Sequence, residues 1–277
     1  MKRVILGCDT NLDYAFSLPI ACLAWRKRGW LPTIIFAGDV ADWMREPRLY
    51  LVASRCRELG AEATWVGRFS EVSRTSTVAQ CSRLLGHLVP GIESGDDLIT
   101  SDADMIPVGP WVGGRALEPG TFQSYYANAY AGEGIPHWPI CYLRAEASTW
   151  AEVMGGGTLR EALADLLSLA PSDSTGAWNF DEHEFGRRLV AWGGYATRAR
   201  FVDRRFVEGE WRIDRCGWND AMGEVSRRGS LQGVADAHII RPGWTDENWP
   251  RLRWLLTLLF SSDQMAWVDE YREAWGS

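Results

Sequence analysis

The chain has 277 residues, 46% of them hydrophobic and 23% charged, with 29 Lys and Arg against 36 Asp and Glu and a net charge of -7. This composition excludes a disordered chain, which could not bury enough apolar surface to fold. The longest strongly apolar run, 254–260, falls far short of the ~20 residues of a membrane span, and an acidic chain is not drawn to nucleic acid or anionic membrane by its overall field.

In chain order, residues 1–9 run from a charged start through a short apolar stretch to an acid, and read as a first strand rather than a secretory leader. Residues 14–28 carry apolar side chains at helical spacing and stop at Gly29. A β-branched buried strand over 32–38 follows, then a helix over 48–59 halted by Gly60, a strand over 63–66 and a helix over 77–88. Residues 97–100 form a strand that runs straight into Ser101-Asp102-Ala103-Asp104. The alternation predicts an α/β fold, a mainly parallel sheet flanked by helices on both faces. Ligands then bind beyond the carboxyl ends of the strands, where two polar loops, 9–13 and 101–104, terminate. The second half is less regular, with helices over 148–154, 159–169, 181–192 and 250–260, polar loop 171–176 and a strand-and-turn stretch over 198–218. No linker divides the chain, which predicts a single domain over 1–277 with the ligand-binding half in 1–106 and a covering half in 107–277.

The six cysteines (Cys8, Cys22, Cys56, Cys81, Cys141 and Cys216) contain no CxxC pair, which argues against zinc and predicts a reducing, cytoplasmic setting. The 16 tryptophans follow no fixed period, so a repeat architecture gains no support. Asp102 and Asp104, one residue apart at a strand end, are expected to project together towards one hard cation, Mn²⁺ or Mg²⁺, unless they form a solvated acidic turn. His238, ahead of Ile239-Ile240-Arg241-Pro242-Gly243-Trp244, can complete that site, and Arg241 can face a diphosphate; a structural histidine is the alternative. Asn179-Phe180-Asp181-Glu182-His183-Glu184 crowds acids into a helix start that Asn179 is expected to cap. Asp181 or Glu182 is the candidate base towards an acceptor, although acids favour helix N-termini for electrostatic reasons alone.

With strand-Asp102-Ala103-Asp104, the acidic helix start and His238-x-x-Arg241-Pro242-Gly243-Trp244 in place, the sequence resembles the nucleotide-sugar glycosyltransferases of the GT-A fold. The late segment is similar in outline to the His-x-x-x-x-Lys-Pro-Trp signature of the retaining family that includes glycogenin and the bacterial galactosyltransferases, with shorter spacing and arginine for lysine. The resemblance implies a metal-dependent transferase using a nucleoside-diphosphate sugar, UDP-sugar first among them. It makes Asp104 the direct metal ligand and Asp102 a partner of ribose and metal. It also places the nucleotide at Thr10, Asn11, Asp13 and Tyr14, and Arg83 towards sugar or phosphates. His137 then either lines the acceptor cleft or bonds its own loop. Acids at 181–182 favour inversion of configuration, and the late histidine motif favours retention. The acceptor stays open between glycan, small molecule, protein and modified DNA base.

Two other classes compete. A nucleotidyltransferase also uses paired carboxylates, but the loop after its first strand commonly carries a basic residue that 7–11 lacks. A nucleic-acid or carbohydrate binding module draws on 198–218, where six arginines interleave with Phe201, Phe206, Trp211 and Trp218. Acids in the same stretch nearly balance that charge and predict a solvated β-hairpin.

Overall fold

A computed structural model describes residues 1–70, 72, 74–109, 114, 116–130, 137–171, 179–202 and 211–276. Its first half runs β1 (Lys2–Cys8), α1 (Leu12–Ala15), α2 (Leu18–Lys27), β2 (Leu31–Ala37), α3 (Val40–Arg45), α4 (Pro47–Glu58), β3 (Glu62–Gly67), α5 (Thr75–Leu84) and β4 (Asp97–Ser101). The second half runs β5 (Met105–Pro107), β6 (Phe122–Tyr125), β7 (Leu143–Glu146), α6 (Ala147–Met154), α7 (Leu159–Ser168), α8 (Phe180–Ala191), α9 (Tyr195–Arg198), β8 (Ala199–Val202), β9 (Trp211–Ile213), α10 (Trp218–Arg228), β10 (Val234–His238), α11 (Trp249–Leu259) and α12 (Ser262–Gly276).

Seven strands make one sheet in the order β3-β2-β1-β4-β7-β6-β8. The first four are mutually parallel, β7 is antiparallel to both neighbours, and β8 returns parallel to β6. Alternation within β1 explains its two buried faces. Val4, Leu6 and Cys8 join a core with Phe16, Phe36 and Tyr271, while Ile5 joins another with Ile35, Val78 and Phe185. At Gly7 the α5 backbone comes so close that a Cβ would sit 2.0 Å from the Ala79 carbonyl oxygen. A second sheet, β5-β10-β9, stands beside the carboxyl edge, with β10 antiparallel to β5 and parallel to β9.

Three expectations are corrected. The helix over 14–28 is two helices, because Pro19, second in α2, has no N–H for the Ala15 carbonyl. The 198–218 stretch is not a hairpin. β8 joins the large sheet, β9 joins the small one, Trp218 opens α10, and 203–210 lie outside the described residues. Asp102 and Asp104 are not on a pleated strand either. β4 ends at Ser101 and the acids sit on a turn in which the Met105 amide donates to the Asp102 carbonyl at 3.2 Å. No helix among the described residues is long and apolar enough to cross a membrane.

Candidate active site

The topology explains how two distant motifs meet. β5 leaves the Asp102–Asp104 turn, and β10 pairs with it so that His238 stands opposite Met105. The Ile239 amide donates to the Asp104 carbonyl at 2.8 Å, fixing the register one residue further on. Oxygens of Asp102 and Asp104 and a ring nitrogen of His238 consequently all lie within 4.8 Å of one another. Octahedral Mg²⁺ or Mn²⁺ holds donors at roughly 2.1 Å, which puts adjacent ligands about 3 Å and opposite ligands about 4.2 Å apart, so the three side chains would draw in somewhat around an ion. Asp104 is fully buried, and its Oδ1 has no hydrogen-bond partner among the described residues. An orphaned carboxylate oxygen beside a second carboxylate and an imidazole is a donor set that fits such a cation.

Guanidinia hold the other oxygens. Arg215 donates to Asp104 Oδ2 from Nη2 at 3.0 Å and Nε at 3.3 Å, and Arg241 Nε lies 3.4 Å from the same atom. The Arg241 guanidinium also covers the Tyr14 ring, 4.2 Å from its centroid. Arg83, on α5, pairs with Asp102 and reaches Asp181 Oδ2 at 3.5 Å. Burial works against ionisation of Asp102, but the charges of Arg83 and His238 outweigh it and hold its carboxyl well below the usual range. His238 is likewise opposed by burial yet raised by Asp102, 3.5 Å from Nε2, and Asp214, 3.3 Å from Nδ1.

Two adjoining cavities share these residues. One of about 100 Å³ is walled by Gly7, Asp9, Tyr14, Arg83, Asp104 and Arg215 among others. The second, about 320 Å³, faces Asp102, His238 and Arg215 on one side and Tyr130, Asp181 and Glu182 on the other. Asp181 and Glu182 open α8, although Asn179 makes no side-chain cap. Trp178, which precedes it, lies outside the described residues. Burial, opposed by Arg83, pushes the Asp181 carboxyl up to about 6. Burial and the charge of Asp181 push Glu182 up to about 8, and the Tyr130 hydroxyl donates to its Oε1 at 3.1 Å.

Of the residues singled out in the first loop, Tyr14 lines the smaller of these two cavities. Thr10, Asn11 and Asp13 stand outside both walls, and Asn11 Oδ1 accepts the Asp13 amide to cap α1. His137 is buried and stacks on Tyr130 at 4.2 Å, while Trp138 packs on Phe201. The sequence puts Asp9 in the polar loop at the ligand edge without giving it a role, and gives none to Asp214 or Arg215. Asp9 directly follows β1, where its buried carboxylate accepts from the Asn11 amide and the Thr75 hydroxyl. Its place at a strand's carboxyl end was the available signal. Asp214 and Arg215 sat in a charge-balanced stretch that reads as solvated surface.

No protein-family model matches the chain, and no curated protein matches it in sequence. Solved structures do resemble it. The bifunctional glycosyltransferase WbbM superposes with a TM-score of 0.51 at 10% identity, covering 98% of this chain and 51% of that one. The glycosyltransferase GlyE of Streptococcus pneumoniae gives 0.48 at 15% identity, covering 98% and 63%. The galactosyltransferase LgtC, solved with donor and acceptor sugar analogues, gives 0.47 at 12% identity over 96% and 99%. This chain spans about half the length of WbbM and under two thirds of GlyE. The likeness to WbbM shows the fold: a mixed seven-stranded sheet of GT-A type flanked by helices.

Proposed function

We propose that this chain transfers a sugar from a nucleoside-diphosphate sugar, with UDP-sugars the first donors to test, to a hydroxyl-bearing acceptor, using Mn²⁺ or Mg²⁺ held by Asp102, Asp104 and His238. The observation that carries this reading is the convergence of those three side chains between two cavities at the sheet's carboxyl edge. A bound cation would supply charge neutralisation for the departing diphosphate. The chain's own part is electrostatic positioning. Arg241, stacked on Tyr14, and Arg215 stand ready as donors where negative charge develops, and Arg83 keeps Asp102 ionised.

On the acceptor side, Asp181 is pushed up only to about 6, is the more readily ionised of the pair, and serves as its base. Glu182, near 8, keeps its proton there and donates a hydrogen bond to the acceptor. The division into a donor half, 1–106, and an acceptor half, 107–277, then needs one amendment: Arg215, His238 and Arg241 come from the second half and act on the donor. The six free cysteines suit a reducing compartment, and we place the enzyme in the cytoplasm.

A nucleotidyltransferase would want a cation in the loop after β1, where this chain has the buried acid Asp9. Incubation with Mn²⁺ and a UDP-sugar should release UDP, whereas nucleoside triphosphates should release no pyrophosphate; the reverse pattern selects the other enzyme. Asp104→Asn, which keeps the side-chain volume, should lower UDP release about 100-fold or more with the far-UV circular dichroism unchanged. Full metal-dependent turnover in that variant would remove the proposed site.

A further inference from the structure

We infer that Arg215 couples cation binding to diphosphate binding: its guanidinium occupies Asp104 while the donor is absent and passes to the diphosphate when the donor arrives. The inference rests on the reading of this cleft as a sugar-nucleotide site. Its starting point is a charge count of the groups touching the three candidate ligands. Asp102, Asp104 and Asp214 are faced by Arg83, Arg215 and Arg241, with His238 between Asp102 and Asp214. Asp181 lies one contact further out, on Arg83. The set is close to neutral.

A dication entering a buried, nearly neutral cluster lacks the compensating charge that a buried ion requires. It must also share Asp104 with two guanidinia. A diphosphate changes both conditions at once. It brings the missing negative charge, and it offers guanidinium forks a bidentate partner of the kind they favour over a single carboxylate oxygen.

Arg215 rather than Arg241 is the residue free to make the exchange. Arg241 is held against the Tyr14 ring, and its Nε lies 3.4 Å from Asp104 Oδ2. Arg215 makes two contacts to Asp104, is one-third exposed, and lines both cavities. The Arg215 amide donates to Asp214 Oδ1 at 2.8 Å, the same oxygen that faces His238 Nδ1, so its backbone is tied to the ligand set by a contact separate from its guanidinium. The residue therefore stays beside the ligand set while its guanidinium swings between two anions. Because coupling between sites is reciprocal, the diphosphate strengthens the cation as much as the cation strengthens the diphosphate.

Titration calorimetry on the whole chain tests this without turnover, using Mn²⁺ alone, UDP alone, and Mn²⁺ at saturating UDP. In the wild type, UDP should tighten Mn²⁺ about tenfold or more. Arg215→Gln should bind Mn²⁺ alone several-fold more tightly than the wild type and lose most of the UDP enhancement. Arg215→Lys, which keeps the charge, should retain much of that enhancement. The inference is overturned if Arg215→Gln binds Mn²⁺ alone no better than the wild type, or if its UDP enhancement is undiminished. Equal loss in the Gln and Lys variants would also overturn it. If UDP fails to bind the wild type at all, the sugar-nucleotide reading falls, while the Mn²⁺-alone comparison still decides whether Arg215 guards Asp104.

Discussion

Glu182 sets a pH dependence that can be worked out from its surroundings. Burial beside Asp181 raises its carboxyl from an ordinary 4.5 to about 8, despite the hydrogen bond from Tyr130. Between those values the folded chain holds a proton that the unfolded chain releases, so stability falls as pH rises through the window. Glu182→Gln cannot ionise, and its melting temperature should therefore gain on the wild type progressively from pH 5 to pH 8. A constant difference across that range would mean that Glu182 is ionised in the fold. The same pair shows how far single residues were legible. Asp102 and Asp104 were marked by their place after an apolar strand, and His238 by the apolar pair and rigid turn that follow it. Arg215 had no such mark: its role comes from a fold that turns a charge-balanced segment inward onto Asp104, and the linear pattern holds no trace of that.

The elements differ in the same way. β1, β2 and β4 are largely buried and lie inside the sheet, β3 is its more exposed edge strand, and the sequence pattern marks all four. β5, β6, β7 and β10 are three to five residues long, and β10 buries Asp236 and His238, so neither length nor hydrophobic alternation announces them. Asp236 is tolerated there because Arg212 donates to both its oxygens and the Tyr126 hydroxyl to one of them. α12 was missed because the apolar run of α11 masked a second helix directly behind it. Packing of α5 on β1 depends on one hydrogen atom. Gly7→Ala would drive a methyl into the Ala79 carbonyl, and since backbone cannot yield as a side-chain tip does, the expected cost is about 3 kcal/mol. Chemical denaturation checks this. A loss below about 1 kcal/mol would mean that α5 can move away from the sheet.

Across the whole molecule, α12 joins the surroundings of Tyr14 and Arg241, which are far apart in sequence. The Tyr271 hydroxyl donates to the Phe16 carbonyl at 2.9 Å, just after Tyr14, and Arg272 donates to the Trp244 carbonyl at 3.2 Å, just after Arg241. Trp275 touches both rings, Phe16 at 5.2 Å and Trp244 at 5.4 Å. Tyr271→Phe keeps the ring stack and removes one buried hydrogen bond, so it should cost about 1 kcal/mol of stability and weaken UDP several-fold. Unchanged UDP affinity would separate the helix from the wall it braces. The arrangement also bears on the order in which a ribosome delivers the pieces. Tyr14 leaves the exit tunnel early and Arg241 late, but the brace that sets one against the other follows later still. Chain order therefore delivers Tyr14 first, Arg241 more than two hundred residues later and the helix that ties their surroundings together last of the three.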